Sequence, residues 1–520
     1  MILSWQVCSR ARLSRDARFD GKFFIGVLGS RVYCRPTCPA PTAKEKNCRY
    51  FPSAAAASAA GFRPCLRCRP ESCPGTPAWH GTSNTVSRAL RLIAESGLDD
   101  GGVEQLAARL GIGSRHLRRL FLRHLGAAPI AVAQTRRFHF AKKLIDETNL
   151  PMNQVAIASG FGSVRRFNAG IVKIYHRTPT QIRHLARHTG YQSGDQYRFR
   201  LNFRPPYHWP GILDFLGPRA TPGVELVEST TYRRTISANG FDGYFEATVD
   251  PLHDALIVRI DFPDPRSLFH IVEQIRAMFD LNADWTSIVK TLRRDPVLAP
   301  RLHSEPGLRV PGCWNAFELA VRAILGQQIT VKGATSLAGR LVSRFGKPFA
   351  GPKGLTHLFP TAETLAAAKL TSVGVTTTRA ETIRALARAV ASGKINFAGV
   401  VESEDFLCRL CEIPGIAQWT AQYVAMRALG EPDAFPSSDL GLLRVLSLDS
   451  RRALDRRSQR WRPWRAYAAM YLWRMASAQK KKEEKKGAEA ENSLGRSAAT
   501  TKSKRRSDFG CKTASSNREI

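Results

Sequence analysis

Residues 33–68, YCRPTCPAPTAKEKNCRYFPSAAAASAAGFRPCLRC, hold two short cysteine pairs. Three residues separate Cys34 from Cys38, two separate Cys65 from Cys68, and an alanine-rich stretch with helical character lies between the pairs. Each short loop can bring two sulfurs into one coordination sphere, so the spacing predicts a tetrahedral Zn²⁺ site. Spacing alone favours a purely structural metal site, and a reactive site remains open at this point.

Composition limits the class of protein. The chain has 520 residues, and 78 Lys and Arg against 43 Asp and Glu give a net charge of +35. This excess predicts a polyanionic partner, either nucleic acid or an anionic membrane surface. The membrane alternative is weak because no apolar run has the length of a membrane span, and the amino terminus lacks a signal-peptide core. We therefore expect an intracellular, reducing compartment, in which eleven cysteines point to metal rather than disulfides.

Linkers and changes of hydrophobic period divide the chain into five regions, which together predict a multidomain α+β protein. Residues 1–75 hold the cysteine pairs in a small α/β domain, and 84–184 read as an all-α region with arginines on its polar faces. Residues 197–305 mix alternating strands with amphipathic helices, whereas 306–478 are helical. The basic segment 479–520 lacks an apolar period and is predicted to be disordered.

The sequence motifs around the cysteines resemble those of a known family. "DARFDGKFF", "YCRPTCPAP" and "AAAASAAGFRPCLRCRPE" are similar to the N-terminal domain of the Ada family of bacterial alkylation-response proteins. The resemblance implies Zn²⁺ held by four cysteines and repair of methyl phosphotriesters in DNA. It also implies that the first cysteine of the set, Cys34, accepts the methyl group irreversibly. Such a transfer reduces the negative charge of the site and would strengthen DNA binding.

The region 84–184 contains two helix-turn-helix units. In "VEQLAARLGIGSRHLRRLFLRHLGAAP" Gly111 lies in the turn and Ser114 is positioned to cap the second helix. "MNQVAIASGFGSVRRFNAGIVKIYHRTPTQIR" repeats the pattern, and the pair resembles the AraC-type DNA-binding domain, although His176 stands where that family usually has Gly. A generic helical bundle is the alternative. The candidate DNA-contacting residues are Arg115, Arg118, Arg119, Arg165 and Arg166.

The C-terminal half resembles the AlkA-type DNA glycosylases. The resemblance rests on "LNFRPPYHWPGILDFL", "VPGCWNAFELAVRAILGQQITV", "LCEIPGIAQWTAQYVAMRALGEPDAFPSSDLGL" and "RPWRAYAAMYLW", and it covers 197 to about 478. It implies a mixed sheet-and-helix domain followed by a helix-hairpin-helix domain. Pro414 and Gly415 break the helix so that free N–H groups can bind a phosphate. Ala417 stands where the family usually has a second Gly, so a slightly altered turn is expected.

The same resemblance assigns the reaction. It makes Asp439 the catalytic carboxylate that stabilises positive charge on the sugar as an alkylated purine leaves, although an Asp after two serines is more often a helix N-cap. Trp419 occupies the position of the Schiff-base lysine of bifunctional relatives, so we expect a monofunctional glycosylase that leaves an abasic site. The expected substrate and DNA contacts are Trp419, Tyr423 and Trp473 in an aromatic pocket, with Gln328 at the position of an apolar wedge.

Three functional hypotheses follow. The first is a fusion of methyl-phosphotriester sensor, transcription activator and 3-methyladenine-type glycosylase, acting as a monomer on alkylated and promoter DNA and contacting RNA polymerase. The second is a transcriptional regulator whose glycosylase half is inactive and only holds DNA. The third treats the cysteine cluster as structural. No P-C-H-R word is present, so removal of alkyl groups from guanine oxygen is not expected.

Overall fold

The computed structural model describes residues 3–74, 84–96, 102–187, 197–397 and 403–479. Its elements confirm a multidomain α+β chain. The predicted disordered tail, 479–520, lies outside the described residues apart from residue 479, and so do most of the two predicted linkers. Among the described residues, no helix has the length and apolarity that a membrane crossing requires.

The first domain is a four-stranded sheet flanked by short helices. Its strands are β1 (Phe24–Val27), β2 (Val32–Cys34), β3 (Cys48–Phe51) and β4 (Arg63–Pro64), and its helices are α1 (Trp5–Leu13) and α2 (Ala54–Ala59). The strand order is β3-β1-β2-β4, with β2 and β4 parallel. The alanine-rich spacer forms α2 as predicted, and Ser53 caps it through the N–H of Ala56. Because β2 and β4 run in parallel, Cys34 and Cys65 reach the same end of the sheet.

Seven helices follow in the described residues between 84 and 187, in two similar groups. They are α3 (Asn84–Ser96), α4 (Gly102–Arg109), α5 (Ser114–Leu125), α6 (Pro129–Glu147), α7 (Met152–Ala158), α8 (Val164–Tyr175) and α9 (Pro179–Arg187). Gly111 and Gly160 occupy the two turns with φ of 66° and 76°, which suits glycine. The prediction that Ser114 caps α5 is wrong, because Gly113 is the N-cap and Ser114 is the first helical residue.

The third region is an antiparallel five-stranded sheet with four helices. Its strands are β5 (Tyr197–Asn202), β6 (Glu225–Glu228), β7 (Thr231–Ala238), β8 (Phe241–Val249) and β9 (Ala255–Asp261), in the order β5-β9-β8-β7-β6. Its helices are α10 (Trp209–Leu216), α11 (Leu268–Met278), α12 (Trp285–Leu292) and α13 (Ala299–Ser304). This confirms the mixed sheet-and-helix character expected for the region.

The last region is mainly helical. Its helices are α14 (Ala316–Leu325), α15 (Val331–Phe345), α16 (Ala362–Ala367), α17 (Thr377–Ala391), α18 (Ser403–Cys411), α19 (Gln418–Arg427), α20 (Leu440–Val445), α21 (Arg451–Ser458) and α22 (465–479). A small two-stranded sheet, β10 (Lys347–Pro348) with β11 (His357–Leu358), interrupts them. The hairpin that matters for function lies between α18 and α19.

The hydrophobic cores do not follow the boundaries read from the sequence. The first helix-turn-helix unit has its own core, whereas the second shares one continuous core with the sheet and with the C-terminal helices. Phe140 on α6 packs against Phe199 of the sheet and Phe269 of α11, at centroid distances of 6.4 and 4.9 Å. The second DNA-binding unit is therefore built onto the sheet domain.

Buried polar contacts join the cysteine-bearing domain to the sheet domain. Lys22 pairs with Asp284 at 2.5 Å, and their side chains are only 7% and 1% exposed. Arg204, fully buried, donates to the backbone carbonyls of Asp20 at 2.7 Å and Asn282 at 2.6 Å. The contacts of Lys22 with Asp284 and of Arg204 with the Asp20 carbonyl form only when the two domains are docked, so the boundary is a specific interface.

Candidate functional site

The four predicted cysteine ligands form one cluster. The sulfurs of Cys34, Cys38, Cys65 and Cys68 lie within 4.8 Å of one another, and no disulfide joins them. Four sulfurs placed tetrahedrally about 2.3 Å from Zn²⁺ stand about 3.8 Å apart, so the cluster needs little adjustment to bind the ion. Cys34, Cys65 and Cys68 are buried, while Cys38 is half-buried. The donor set is that of a Zn²⁺ site.

The chain around the cluster fixes the sulfurs. Cys34 ends β2, and Cys65 follows β4 with its N–H donating to the carbonyl of Tyr33 at 3.0 Å. The backbone N–H of Arg35 donates to the sulfur of Cys68 at 3.4 Å, and its guanidinium donates to the Cys68 carbonyl at 3.2 Å. Asp20 pairs with that guanidinium, its Oδ1 lying 2.8 Å from Nε. An N–H donor to a sulfur favours its thiolate form, which is the form that binds metal.

Hydrogen bonds between the four sulfurs shift the pKa values of the thiols in different directions. A hydrogen bond from Cys34 lowers the pKa of Cys38 to about 7, and hydrogen bonds from the other three cysteines lower the pKa of Cys65 as well. Hydrogen bonds with neighbouring sulfurs raise the pKa values of Cys34 and Cys68. The four groups thus compete for protons when they are this close, and a divalent cation would relieve that competition by holding all four as thiolates.

The predicted catalytic carboxylate lies in a large cavity of the C-terminal half. Asp439 is both the N-cap of α20, accepting from the N–H of Leu442 at 3.0 Å, and a wall of a cavity of about 290 Å³. Its second oxygen accepts from Trp419 Nε1 at 2.9 Å. The capping role and the pocket role therefore coexist, and the two donors hold the carboxylate in one orientation.

Aromatic rings line this cavity, as predicted. Trp419 and Tyr423 stack with centroids 5.3 Å apart and an interplanar angle of 7°, and Trp473 lies 6.1 Å from Tyr423. Phe215 of α10 stacks on Trp473 at 6.3 Å, and the sequence reasoning missed it. That ring comes from the sheet domain, to which no part in the site was assigned. Its distance of more than 200 residues from Trp419 leaves no spacing signal.

A network of buried charges under the cavity was also missed. Arg427 donates to the hydroxyl of Tyr423 at 2.6 Å, and its guanidinium lies over the rings of Phe215 and Tyr423. Burial raises the pKa of Tyr423, but Arg427 and Arg219 outweigh it, and the net pKa is below the ordinary value. The remaining charged lining residues are Glu225, Arg234, Glu318 and Arg322.

The hairpin between α18 and α19 has the expected form. Gly415 has φ of +89°, and a Cβ there would stand 2.0 Å from Thr382 Oγ1, so glycine is required. Ala417 has φ of −97°, which alanine adopts without strain, and the slight alteration of the turn stays a prediction. The Ala417 side chain does not cap α19, which leaves the first N–H groups of that helix available to an anion. Pro414 and Gly415 are exposed.

Gln328 lies beside the cavity rather than in its lining. It is exposed and has a left-handed backbone with φ of 57°. Its neighbour Gln327 makes the link to the hairpin, donating to the Gly415 carbonyl at 3.0 Å and to Thr420 Oγ1 at 3.1 Å. Ile329 and the first residue of α15 line the mouth. A wedge role for Gln328 stays a prediction.

The arginines predicted to contact DNA are all exposed on α5 and α8: Arg115, Arg118, Arg119, Arg165 and Arg166. Arg118 lies 3.5 Å from Glu104, and both side chains are more than half exposed, so solvent weakens that pair. His176 ends α8 in a left-handed conformation with φ of 53°, which glycine adopts more readily than histidine. The geometry presents two arginine-bearing helices and does not choose between phosphate and base contacts.

Four family models match the chain. They are "Metal binding domain of Ada" over 7–71, "Helix-turn-helix domain" over 106–185, "AlkA N-terminal domain" over 198–315 and "HhH-GPD superfamily base excision DNA repair protein" over 321–457. Together with the cysteine cluster and the cavity, they define a zinc-binding, DNA-binding repair protein with a glycosylase domain.

Similar proteins cover nearly the whole chain. A probable bifunctional transcriptional activator/DNA repair enzyme AlkA of Mycobacterium tuberculosis is 41% identical over 474 residues, which are 90% of this chain and 95% of that one. DNA-3-methyladenine glycosylase 2 of Escherichia coli is 31% identical over 53% of this chain and 96% of its own length. The Ada enzyme of Escherichia coli is 35% identical over 24% of this chain and 34% of its own length. The chain belongs to the family of AlkA-type bifunctional transcriptional activators and DNA repair enzymes.

Proposed function

We propose that the C-terminal half hydrolyses the N-glycosidic bond of alkylated purines such as 3-methyladenine in duplex DNA. The observation that carries this proposal is Asp439, held by two hydrogen bonds in the wall of an aromatic cavity next to the DNA-binding hairpin. As the base leaves, positive charge develops on the sugar, and a fixed carboxylate stabilises it without reorganisation. The rings of Trp419, Tyr423 and Trp473 receive an electron-deficient base by stacking.

The reaction is monofunctional in this proposal. Trp419, not lysine, occupies the hairpin helix position that would form a Schiff base, and its indole N–H is engaged with Asp439. Water is then the nucleophile, and the product is an abasic site. Borohydride should trap no covalent protein–DNA adduct during base release, and a trapped adduct would refute this part.

The test of the glycosylase is the release of methylated bases from alkylated duplex DNA. Asp439→Asn should lower the single-turnover rate at least about 100-fold, the effect typical of losing a preorganised electrostatic group. Asp261→Asn is the matched control, because Asp261 is exposed at the end of β9 in the sheet domain and should leave the rate unchanged. An Asp439→Asn protein as fast as wild type would leave the second hypothesis, an inactive DNA-holding half.

For the cysteine cluster we propose methyl transfer to Cys34. Bound Zn²⁺ would keep the four sulfurs as thiolates at neutral pH. The Cys34 sulfur attacks the methyl carbon of a methyl phosphotriester, an S–C bond forms, the C–O bond breaks, and the phosphodiester leaves with the electron pair. The product is a neutral thioether, so each protein molecule reacts once.

Methylation would then change the affinity for DNA. Four thiolates on a divalent cation carry a formal charge of −2, and one thioether reduces it to −1. One unit of charge within 10 Å of a phosphate is worth on the order of 1 kcal/mol. We infer that the methylated protein binds promoter DNA through α5 and α8 and activates transcription. The same proposal includes RNA polymerase as a partner, action as a monomer and a cytoplasmic location. It also includes the five region boundaries that we read from the sequence.

Peptide mass spectrometry after exposure to DNA containing methyl phosphotriesters tests the acceptor. One methyl group per chain should appear on Cys34, and Cys34→Ser should take up none while still releasing alkylated bases. A methyl on Cys38 or Cys65, with none on Cys34, would contradict the assignment. No uptake by wild type would leave the cluster purely structural.

A further inference from the structure

An arginine-rich segment directly follows the proposed catalytic residue. Residues 440–461, LGLLRVLSLDSRRALDRRSQRW, contain six arginines and two aspartates. Five of these arginines are exposed, and among the described residues none of the five has a carboxylate within 4 Å. We call them the arginine ridge: Arg444, Arg451, Arg452, Arg456 and Arg460.

The sixth arginine shows how the segment is anchored. Arg457 pairs with the buried Asp295 at 3.1 Å, and Trp461 Nε1 donates to the other oxygen of that carboxylate at 2.9 Å. Leu454 and Ser458 are fully buried on the same side of α21. The inner face of α21 is therefore fixed, whereas Arg452 and Arg456 are exposed to solvent, and among the described residues no ridge arginine has a carboxylate partner.

The ridge begins beside the DNA-binding hairpin. The guanidinium of Arg451 is hydrogen-bonded to the side chain of Gln418, the first residue of α19. Arg444 lies on α20, and Asp439 is the N-cap of that helix. The positive surface thus runs from the N–H groups of the hairpin along the segment that carries the catalytic carboxylate.

We propose that the arginine ridge binds the DNA sugar–phosphate backbone next to the flipped nucleotide, an inference that rests on the proposed glycosylase function. From Arg451 to Arg460 the chain advances about 13 Å at 1.5 Å per residue. That length corresponds to about four base-pair steps of 3.4 Å. The ridge therefore reaches phosphates within about four nucleotides of the one held by the hairpin. Exposed guanidinium groups bind phosphate without reading the base sequence.

The first experiment measures base release from a lesion-containing duplex as a function of salt, with enzyme in excess over DNA but below saturation. The full-length variant Arg452→Gln/Arg456→Gln should flatten the slope of log rate against log salt by up to about 1.8, since each phosphate contact contributes about 0.9. At saturating enzyme the release rate should stay within twofold of wild type, because the cavity is untouched.

The matched control removes the same charge elsewhere. Arg198 and Arg259 face each other across β5 and β9, and both are exposed on the sheet domain. Arg198→Gln/Arg259→Gln should leave the slope unchanged. Equal slope changes in both variants, or none in the ridge variant, would show that the ridge is only a solvated surface and would overturn the proposal.

A second experiment locates the contacts. Duplexes carrying one uncharged methylphosphonate linkage, placed one to four nucleotides from the lesion, should react more slowly with wild type at the contacted position. The ridge variant should lose nothing further there, because the partner charge is already absent. In a methylphosphonate the methyl carbon is bonded directly to phosphorus, so these duplexes do not test methyl transfer to Cys34. Additive losses at every position would refute a direct contact.

The two proposals fail differently. If wild type releases no base, the glycosylase function fails, and the ridge is then tested by binding to a duplex with a non-hydrolysable abasic analogue, using the same variants and salt series. If wild type releases base and the ridge variant keeps the wild-type slope, the ridge proposal alone fails.

Discussion

The two candidate sites are built in opposite ways. The cysteine cluster takes all its ligands from 35 consecutive residues, and the described part of its domain has only small hydrophobic clusters: the sulfurs with Val32, a second around Tyr33 and a third around Phe23. The cavity around Asp439 takes its walls from residues 215 to 473 and rests on the largest core of the molecule. We infer that the first site depends on its metal for structure, whereas the second is formed by packing before any ligand binds.

Removal of the metal should give the largest effect and should separate the two sites. Structural Zn²⁺ contributes on the order of 10 kcal/mol in small domains, so a strong chelator should unfold the sheet β1–β4. Hydrogen exchange of the backbone amides of that sheet, measured together with the zinc content of the protein, detects this unfolding. Base release should fall less than twofold. A parallel loss of base release would show that the cavity also depends on the metal, and the contrast would be broken.

A charge deletion under the cavity should have the next largest effect. Arg234 is 3% exposed and pairs with Glu318 at 2.8 Å and Glu225 at 3.6 Å. Arg234→Met leaves two buried carboxylates without that cation and should lower the free energy of unfolding by about 3–5 kcal/mol. Denaturant unfolding of the full chain measures it.

The neighbouring residue is the control for this deletion. Arg233 lies on the other face of β7, is 29% exposed, and pairs with Glu246 at 2.7 Å. Arg233→Met should cost less than about 1 kcal/mol, because solvent screens its charge. Similar costs for the two variants would show that the burial of Arg234 and its carboxylates does not set the cost of removing the cation.

The boundary between the two regions gives a smaller test. Lys22→Met removes the cation beside Asp284, which is 1% exposed, and should cost about 3 kcal/mol of unfolding free energy. Lys347→Met breaks an exposed Lys–Asp pair at 2.6 Å and serves as control, with an expected change below about 0.5 kcal/mol. If Lys22→Met is as mild as the control, the two domains are not coupled through this pair.

The contrast also explains what the sequence could predict. Cys34, Cys38, Cys65 and Cys68 are close in the chain, so their spacing alone indicates a metal site, and the structure brings them together. The hairpin with its Pro414–Gly415 turn is equally local. Spacing in the sequence predicts a site when the residues of that site are close together in the chain.

The rest of the cavity depends on long-range packing. Phe215 and the charged residues below it come from the sheet domain, and only the folded contact between α10 and α22 places that ring beside Trp473. The continuous core between α6 and the sheet was not expected for the same reason, since Phe140 and Phe269 are far apart in sequence. Hydrophobic periodicity predicts which face of a helix is buried but does not identify its partner.

The smallest expected effect is a pH dependence at the boundary between β2 and α6. Tyr33, next to Cys34, is hydrogen-bonded to His139 at 2.8 Å, and burial lowers the pKa of His139 to about 4, with Glu71 opposing and Lys142 adding to the shift. The unfolded chain takes up this proton below pH 6.5, while the folded chain resists until about pH 4. The contribution of His139 to stability is therefore complete above pH 6.5 and should be about 2 kcal/mol smaller at pH 5. Unfolding free energies at pH 7.5 and 5 should show this loss in wild type and in the exposed-site control His303→Gln, and not in His139→Gln. An equal loss in His139→Gln would show that the pH dependence arises from another group. His139 would then not link β2, the strand that carries Cys34, to the helices of the helix-turn-helix units.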